Sequence, residues 1–392
     1  MRKNEERQIW DYVCVYVDDL EIAMVDAKSF LEKLKKPTAE GGYGYKLKGD
    51  GPLSYHLGCD FFRDEDGRLM YQPKKYIAKM VEYYERTFGA KPKYYSAPLD
   101  PKDHPELDDT PLCDEKEVAI YMTMVGQLQW LITLGRFDIM PAVAALGSFR
   151  AMPKKGHLER AKRLYGFVAK YKDAAITNRV DIPDFSQFDT EHHPDWAHSI
   201  YGPDHEQYPH NMPEPLGKLV RITEFVDANL YFDLVTGRAC TGILIFLNQT
   251  PVDWYCKKQS TVATATYGSE FVAAKTGAEK AYDLRYECRM LGIPLEYQTY
   301  MFGDNASVVM QGTIPHSKLT KRHHALSYHY VREAVATGML KFFHLPGVHN
   351  SADVLTKFLG YQQWWPLLNP ILYWRGDTAD IQQKVSDPSS QT

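Results

Sequence analysis

Six acids stand where carboxylates can do chemistry. Asp18 and Asp19 are adjacent in "VYVDDLEIAM" (15–24), between two apolar runs that read as strand, tight turn and strand. Two carboxylates side by side at a turn repel, and a divalent cation is the usual group that holds such a pair together. Farther along, Asp227 is predicted to end a strand, Glu270 to lie in the first turn of a long helix, and Asp304 to end another strand. Asp353 is predicted to open a last helix, three residues after Asn350, a candidate N-cap. Acids at strand ends and helix starts can converge at one edge of a sheet. Four converging carboxylates repel unless hard cations lie among them, and two divalent ions about 4 Å apart are the usual arrangement for phosphodiester cleavage. Taken singly, each of these acids also reads as a cap or a helix-dipole partner. Their combination on one strand–helix–strand–helix frame is more specific than any member.

The elements that must position them fall into regions. Residues 1–110 hold the DD hairpin and a second hairpin, "YHLGCDFFRDEDGRLMYQP", with its turn at Asp64-Glu65-Asp66-Gly67. A helix follows in "KKYIAKMVEYYERTF", with Ile77, Met80, Val81, Tyr84 and Phe88 on one face. Residues 111–175 read as helical: "AIYMTMVGQLQWLITL" is apolar nearly all round, which predicts full burial, and "GHLERAKRLYGFVAKY" is amphipathic and basic. Residues 176–217 show no sustained periodicity and read as a long connector. Its five histidines (192, 193, 198, 205 and 210) have no metal-ligand spacing on a regular element and read as solvated loop residues. From 218 to 375 three strands in succession give way to strand–helix alternation, the pattern of a mixed sheet flanked by helices. Residues 376–392, ending "SDPSSQT", are predicted to be disordered.

The 392 residues allow two or three domains, and an apolar content of 44% allows a sizeable core. No apolar run reaches the roughly 18–20 residues of a membrane span, and the polar start "MRKNEERQIW" has no signal-peptide core. The six scattered cysteines have no C-x-x-C pair, which points to reduced thiols in an intracellular protein. Net charge is −4, yet residues 181–217 carry eight acids and no Lys or Arg, whereas 218–375 carry sixteen Lys or Arg against twelve acids. A mildly basic module behind an acidic connector is compatible with a polyanionic ligand.

The chain resembles the C-terminal part of the Pol polyprotein of copia-type LTR retrotransposons, the end of a reverse transcriptase followed by RNase H. The first half of the match is carried by "YVDDL" (16–20), "LSYHLGCDFFRDEDGRLMYQPKKYI" (53–77), "APLDP" (97–101), "YMTMVGQLQWLITLGRFDI" (121–139) and "HLERAKRLYGFV" (157–168). It continues through "TGRACTGILIFL" (236–247), "KKQSTVATATYGSEFVAA" (257–274), "FGDNASVV" (302–309), "KRHHALSYHYVRE" (321–333) and "HNSADVLTK" (349–357). Short YxDD motifs are weak alone; these blocks in order are strong. The resemblance implies a multidomain α/β and α+β fold: a partial palm with the start of a thumb over 1–110, a helical thumb or connection over 111–175, and an RNase H-like domain over 218–375. It implies that Asp18 and Asp19 are the paired metal ligands of a polymerase palm, and that Asp227, Glu270, Asp304 and Asp353 are RNase H ligands for two Mg²⁺ (or Mn²⁺) ions. The partner it implies is an RNA–DNA hybrid, recognised through shape, 2′-hydroxyls and phosphates.

Lys257, Lys258 and Lys357 are candidate phosphate contacts, with Lys321 and Arg322 behind them; each also reads as part of a solvated face. His349 could assist a water or product release, and equally reads as a loop residue. Tyr55, His56 and Trp130 fall in the primer-gripping and thumb region, where stacking and core packing both suit aromatics. Ala325 and Ser327 stand where the family usually carries Asp and Arg, while His323 and His329 read as packing or backbone-positioning groups. A reverse transcriptase also uses an earlier palm aspartate. Asp11 lies in what reads as the same strand as Asp18 and cannot face the hairpin tip, so polymerase activity is expected to be lost from this chain. The expected function is RNase H-type hydrolysis of RNA in hybrids. The alternative is a non-catalytic retroelement remnant or a domesticated nucleic-acid-binding module, and a third reading places the upstream polymerase in a longer native chain.

Overall fold

The computed structural model describes residues 1–191, 193–202, 204–319 and 322–373, the side chain of residue 323 excepted. His192, Lys321, the side chain of His323 and the predicted disordered tail lie outside the described residues. The chain begins with a three-stranded antiparallel sheet of β1 (Arg2–Asn4), β2 (Ile9–Tyr16) and β3 (Asp19–Ala23), followed by α1 (Ala27–Lys35). Tyr16 pairs with Asp19, so Val17, at φ 56°, and Asp18 form the tight turn, and both aspartates are exposed. Asp11 is buried in the middle of β2, where its carboxylate holds Arg2 at 2.8 Å.

A second sheet joins β4 (Tyr55–His56), β5 (Cys59–Arg63) and β6 (Leu69–Gln72) in antiparallel order. Asp64 closes the β5–β6 turn by accepting from the backbone N–H groups of Asp66 and Arg68. The next helices are α2 (Lys74–Phe88), α3 (Glu115–Thr133), α4 (Met140–Leu146) and α5 (Lys155–Lys170). Helix α3 opens with a reciprocal capping box between Asp114 and Glu117. Its burial is one-sided, contrary to the all-round burial its composition predicts: Tyr121, Met124, Leu128 and Leu131 are buried, whereas Met122 is 51% and Trp130 45% exposed. The basic face of α5 is matched by acids of the loop that begins at "APLDP": Arg163 pairs with Asp100, and Arg160 with Asp103 and Asp108. β7 (Ile176–Thr177) then adds to the edge of β6.

The connector predicted over 176–217 opens with β7, a departure from the sequence reading, and the described residues of 178–217 form no helix or strand. They are nonetheless packed. Phe185 packs edge-on against Phe302, and Phe188 packs at a tilt against both Phe302 and Phe343. Buried Glu206 accepts from Arg285 at 2.9 and 2.8 Å and from Arg289 at 2.8 Å.

The third sheet contains β8 (Ile222–Asp233), β9 (Arg238–Leu247) and β10 (Thr250–Lys258), then, after α6 (Thr266–Met290), β11 (Thr299–Gly303). α7 (Ala306–Thr313) and α8 (Ala325–Ala336) lead to β12 (Leu340–His344), and α9 (Tyr361–Leu372) ends the described chain. The sheet order is β10-β9-β8-β11-β12; β9 is antiparallel to its neighbours, and β11 runs parallel to both β8 and β12. Strand alternation splits β9 between two cores. Ile243 and Ile245 face Phe271, Ala274 and Ala278 of α6, while Leu244 and Phe246 join a cluster containing Tyr121, Leu128, Phe167 and Trp364 from α3, α5 and α9. One continuous core therefore runs from the helical segment into the sheet. α7 has no counterpart in the sequence reading. The predicted last helix is instead a 3₁₀ turn, Ser351–Leu355, followed by the separate α9. No helix among the described residues is long and apolar enough to cross a membrane.

Candidate metal centre

Gly303 of β11 pairs with Val226 of β8, so Asp304, just past the strand end, arrives beside Asp227. Asp227 does not end its strand, as the sequence predicts, because β8 continues to Asp233. Helix α6 packs across β8 and brings in Glu270 from its second turn, one residue beyond the predicted first turn. Carboxylate oxygens of Asp227, Glu270 and Asp304 all lie within 4.8 Å of one another. Asp227 and Glu270 are buried and Asp304 is half-buried.

Asp353 sits in the Ser351–Leu355 turn rather than opening a helix, and that turn is pinned next to Asp227. Asn350 accepts from Ala352 N–H, as an N-cap should, and donates its amide to the Val226 carbonyl at 2.9 Å. Thr356 Oγ1 donates to Asp227 Oδ2. The close approach needs glycine in β9: Gly242 lies opposite Asp227, and a Cβ there would meet Thr356 Cγ2 at 2.5 Å. Gly347 similarly passes Asp304, whose Oδ2 would be 3.1 Å from an added Cβ.

Electrostatics follow from this crowding. Burial first, then the neighbouring Asp227 and Asp304, push the Glu270 carboxyl up from 4.5 to about 10. Burial and Asp227 push Asp353 up to about 7, and the same causes raise Asp304. Lys357 relieves part of the repulsion, with Nζ at 2.7 Å from Asp353 Oδ1 and 3.4 Å from Asp227 Oδ1. Burial acts to lower its pKa, but Asp227 and Asp353 outweigh this and the ammonium is raised well above its ordinary value. Asp353 is thus tied to the trio through Lys357.

The basic candidates divide. Lys357 faces carboxylates rather than open solvent, and Lys258 Nζ is engaged at 2.9 Å by both Asp233 and Ser148, so neither stands ready for a phosphate. Lys257 and Arg322 are exposed. His349 is exposed, whereas His344, which the sequence reading did not single out, contacts the Asp304 carbonyl at 3.1 Å. Its position at the end of a strand paired with β11 was the available signal. His329 packs against Tyr201, with Nδ1 2.7 Å from its hydroxyl.

Asp18 and Asp19 do not join this centre. His56 lies beside their hairpin, 3.8 Å from Asp19 and 3.5 Å from Glu21, while Tyr55 and Trp130 are exposed aromatics. Among the described residues, Asp227, Glu270 and Asp304 form the single group of three or more potential ligands. Their donors are all carboxylate oxygens at ion-bridging separation in a buried site that disfavours negative charge, which fits a hard divalent cation.

The chain is similar to Pol polyproteins of transposons. It is 25% identical over 352 residues to the retrovirus-related Pol polyprotein from transposon RE1 of Arabidopsis thaliana, covering 88% of this chain and 20% of that one. It is 26% identical over 352 residues to the polyprotein from transposon TNT 1-94 of Nicotiana tabacum, covering 88% of this chain and 23% of the relative. The chain therefore spans about a fifth of the length of these Pol relatives. Among solved structures it is similar to LC11-RNase H1 in complex with RNA/DNA hybrid, at 15% identity and a TM-score of 0.27, over 35% of this chain and 94% of that one. No protein-family model matches.

Proposed function

We propose that this chain carries an RNase H-type nuclease centre that hydrolyses the RNA strand of RNA–DNA hybrids. The observation that carries the reading is the meeting of Asp227, Glu270 and Asp304 oxygens within 4.8 Å at the end of the parallel pair β8–β11. Asp227, Glu270 and Asp304 would hold Mg²⁺ or Mn²⁺, with Asp353 serving a second ion. Such ions, when bound, supply Lewis-acid stabilisation of the charge that develops on a phosphodiester and lower the pKa of water. The chain's own contributions are position and charge. The β8–β11 register fixes Asp227 against Asp304, Asn350 and Thr356 anchor the Asp353 turn, and Lys357 keeps Asp227 and Asp353 paired. The hybrid as substrate rests on the RNase H blocks of the sequence and on the Pol relatives.

The hairpin pair Asp18–Asp19 supports a polymerase-type origin for the first region. No third carboxylate gathers with it at ligand spacing among the described residues, so DNA synthesis by this chain alone is not expected. The test is a labelled RNA–DNA hybrid incubated with the protein in Mg²⁺, beside an Asp304→Asn variant. RNA cleavage that needs metal and disappears in the variant supports the reading. Hybrid binding without cleavage by the unmodified chain would favour a non-catalytic binding module instead.

A further inference from the structure

Gln259, in the "KKQST" block, immediately follows β10 and is 5% exposed. Its backbone N–H donates to the Ala239 carbonyl at 2.8 Å, which fixes its main chain to β9. Its side-chain amide nitrogen then donates twice, to Thr241 Oγ1 at 3.0 Å and to the Ser269 carbonyl at 2.9 Å. Those two acceptors flank the metal centre. Thr241 precedes Gly242, the residue opposite Asp227, and Ser269 precedes Glu270. Helix α6 has Ala265 at its N-cap and so no side-chain cap, which leaves its first turn without a cap of its own to fix it. The Ser269 hydroxyl is already spent on the Thr266 carbonyl.

We infer that Gln259 is a positioning residue of the metal centre: one buried amide sets the distance between the helix turn that carries Glu270 and the strand rung that carries Asp227. The inference rests on the metal-centre reading above. Gln259 touches no ligand carboxylate itself. It acts by clamping the start of α6 to β9 through its two donated bonds. A ligand displaced by about 1 Å no longer closes on the ion, which is how supporting hydrogen bonds tune metal affinity roughly 10–100-fold.

The test uses Gln259→Met, which keeps side-chain length and removes both donated bonds, and Thr241→Val, which removes the strand-side partner alone. Mn²⁺ binding to the full chain is followed by calorimetry and by electron paramagnetic resonance, with thermal melting in chelator as the control for folding. The expected result is Mn²⁺ affinity about tenfold weaker in Gln259→Met at an unchanged fold, with a smaller loss in Thr241→Val. A folded Gln259→Met chain that binds Mn²⁺ within about twofold of the unmodified chain overturns the inference while leaving the metal centre standing. If Gln259→Met does not fold, unchanged Mn²⁺ affinity in Thr241→Val overturns it. An unmodified chain that binds no Mn²⁺ removes the metal centre itself, and the inference with it.

Discussion

Replacing Glu270 by Gln should stabilise the metal-free chain, and by an amount that grows with pH. Unfolded, the carboxyl ionises near its ordinary 4.5; folded, burial and the neighbouring Asp227 and Asp304 hold it protonated until about 10. Between those values the folded state binds the extra proton, so its stability falls as pH rises. The native contribution is complete below pH 4.5 and is lost progressively through the window that ends near 10. At pH 7 the chain is about 2.5 pH units into that window, and at about 1.4 kcal/mol per unit the loss is about 3 kcal/mol. Gln cannot ionise and keeps the shape of the protonated acid, so the variant should be more stable by about that amount at pH 7 and by less than about 1 kcal/mol at pH 5. Urea unfolding in chelator, read by tryptophan fluorescence at several pH values, measures the gap. Adding Mg²⁺ should then stabilise the unmodified chain and leave the variant behind, because ligand binding to the native state adds its own stabilisation. A gap that stays constant with pH, or narrows as pH rises, would refute the electrostatic account of this site.

Glu224 makes the same kind of test away from the metal centre. It is fully buried in β8, neither carboxylate oxygen has a hydrogen-bond partner, and burial pushes it up to about 8 against the opposing pull of Lys280. Glu224→Gln should therefore raise stability by roughly 3 kcal/mol at pH 7 and little at pH 5, as thermal melts at the two pH values would show. Gly242→Val should destabilise by about 1–3 kcal/mol, because the new side chain meets Thr356 and the Ala352 carbonyl, and Mn²⁺ calorimetry should show weakened binding as the Asp353 turn is displaced. Glu206→Gln leaves Arg285 and Arg289 without their buried counter-charge, a loss of roughly 3–5 kcal/mol, and limited proteolysis should then cut the 178–219 segment faster.

Local elements were legible where one signal dominated. The "DEDG" turn, the apolar face of α2 and the hairpin at Asp18 follow from turn chemistry and periodicity, which depend on near neighbours alone. α7 was missed although Asn305 caps it by accepting from Val308 N–H; its eight residues give too little periodicity. α9 carries Pro366 and Pro370, a composition that argues against a helix, and it persists because Trp364, Leu367 and Leu368 are buried in the shared core. Of the candidate metal-centre acids, only Asp304 lies at the strand end its local pattern predicts; Asp227 lies inside β8, Glu270 one turn into α6 and Asp353 in a 3₁₀ turn, and their meeting depends on the β8–β11 register, which no local pattern encodes. Lys258 and Lys357 show the limit most plainly. The sequence displays their charge and hides Asp233, Asp353 and Asp227, the partners that occupy them.

The core that passes from α3 and α5 into β9 and α9 makes the β8–β12 sheet and the preceding helices a single packed body. Severing the chain ahead of residue 218 would leave Leu244, Phe246 and Val354 facing water, and Trp364 would lose the Ser96 carbonyl that its indole N–H reaches at 3.0 Å. A sheet built in this way cannot be lifted out at the boundary near residue 218, so any excised or transplanted version has to carry its helical buttress with it.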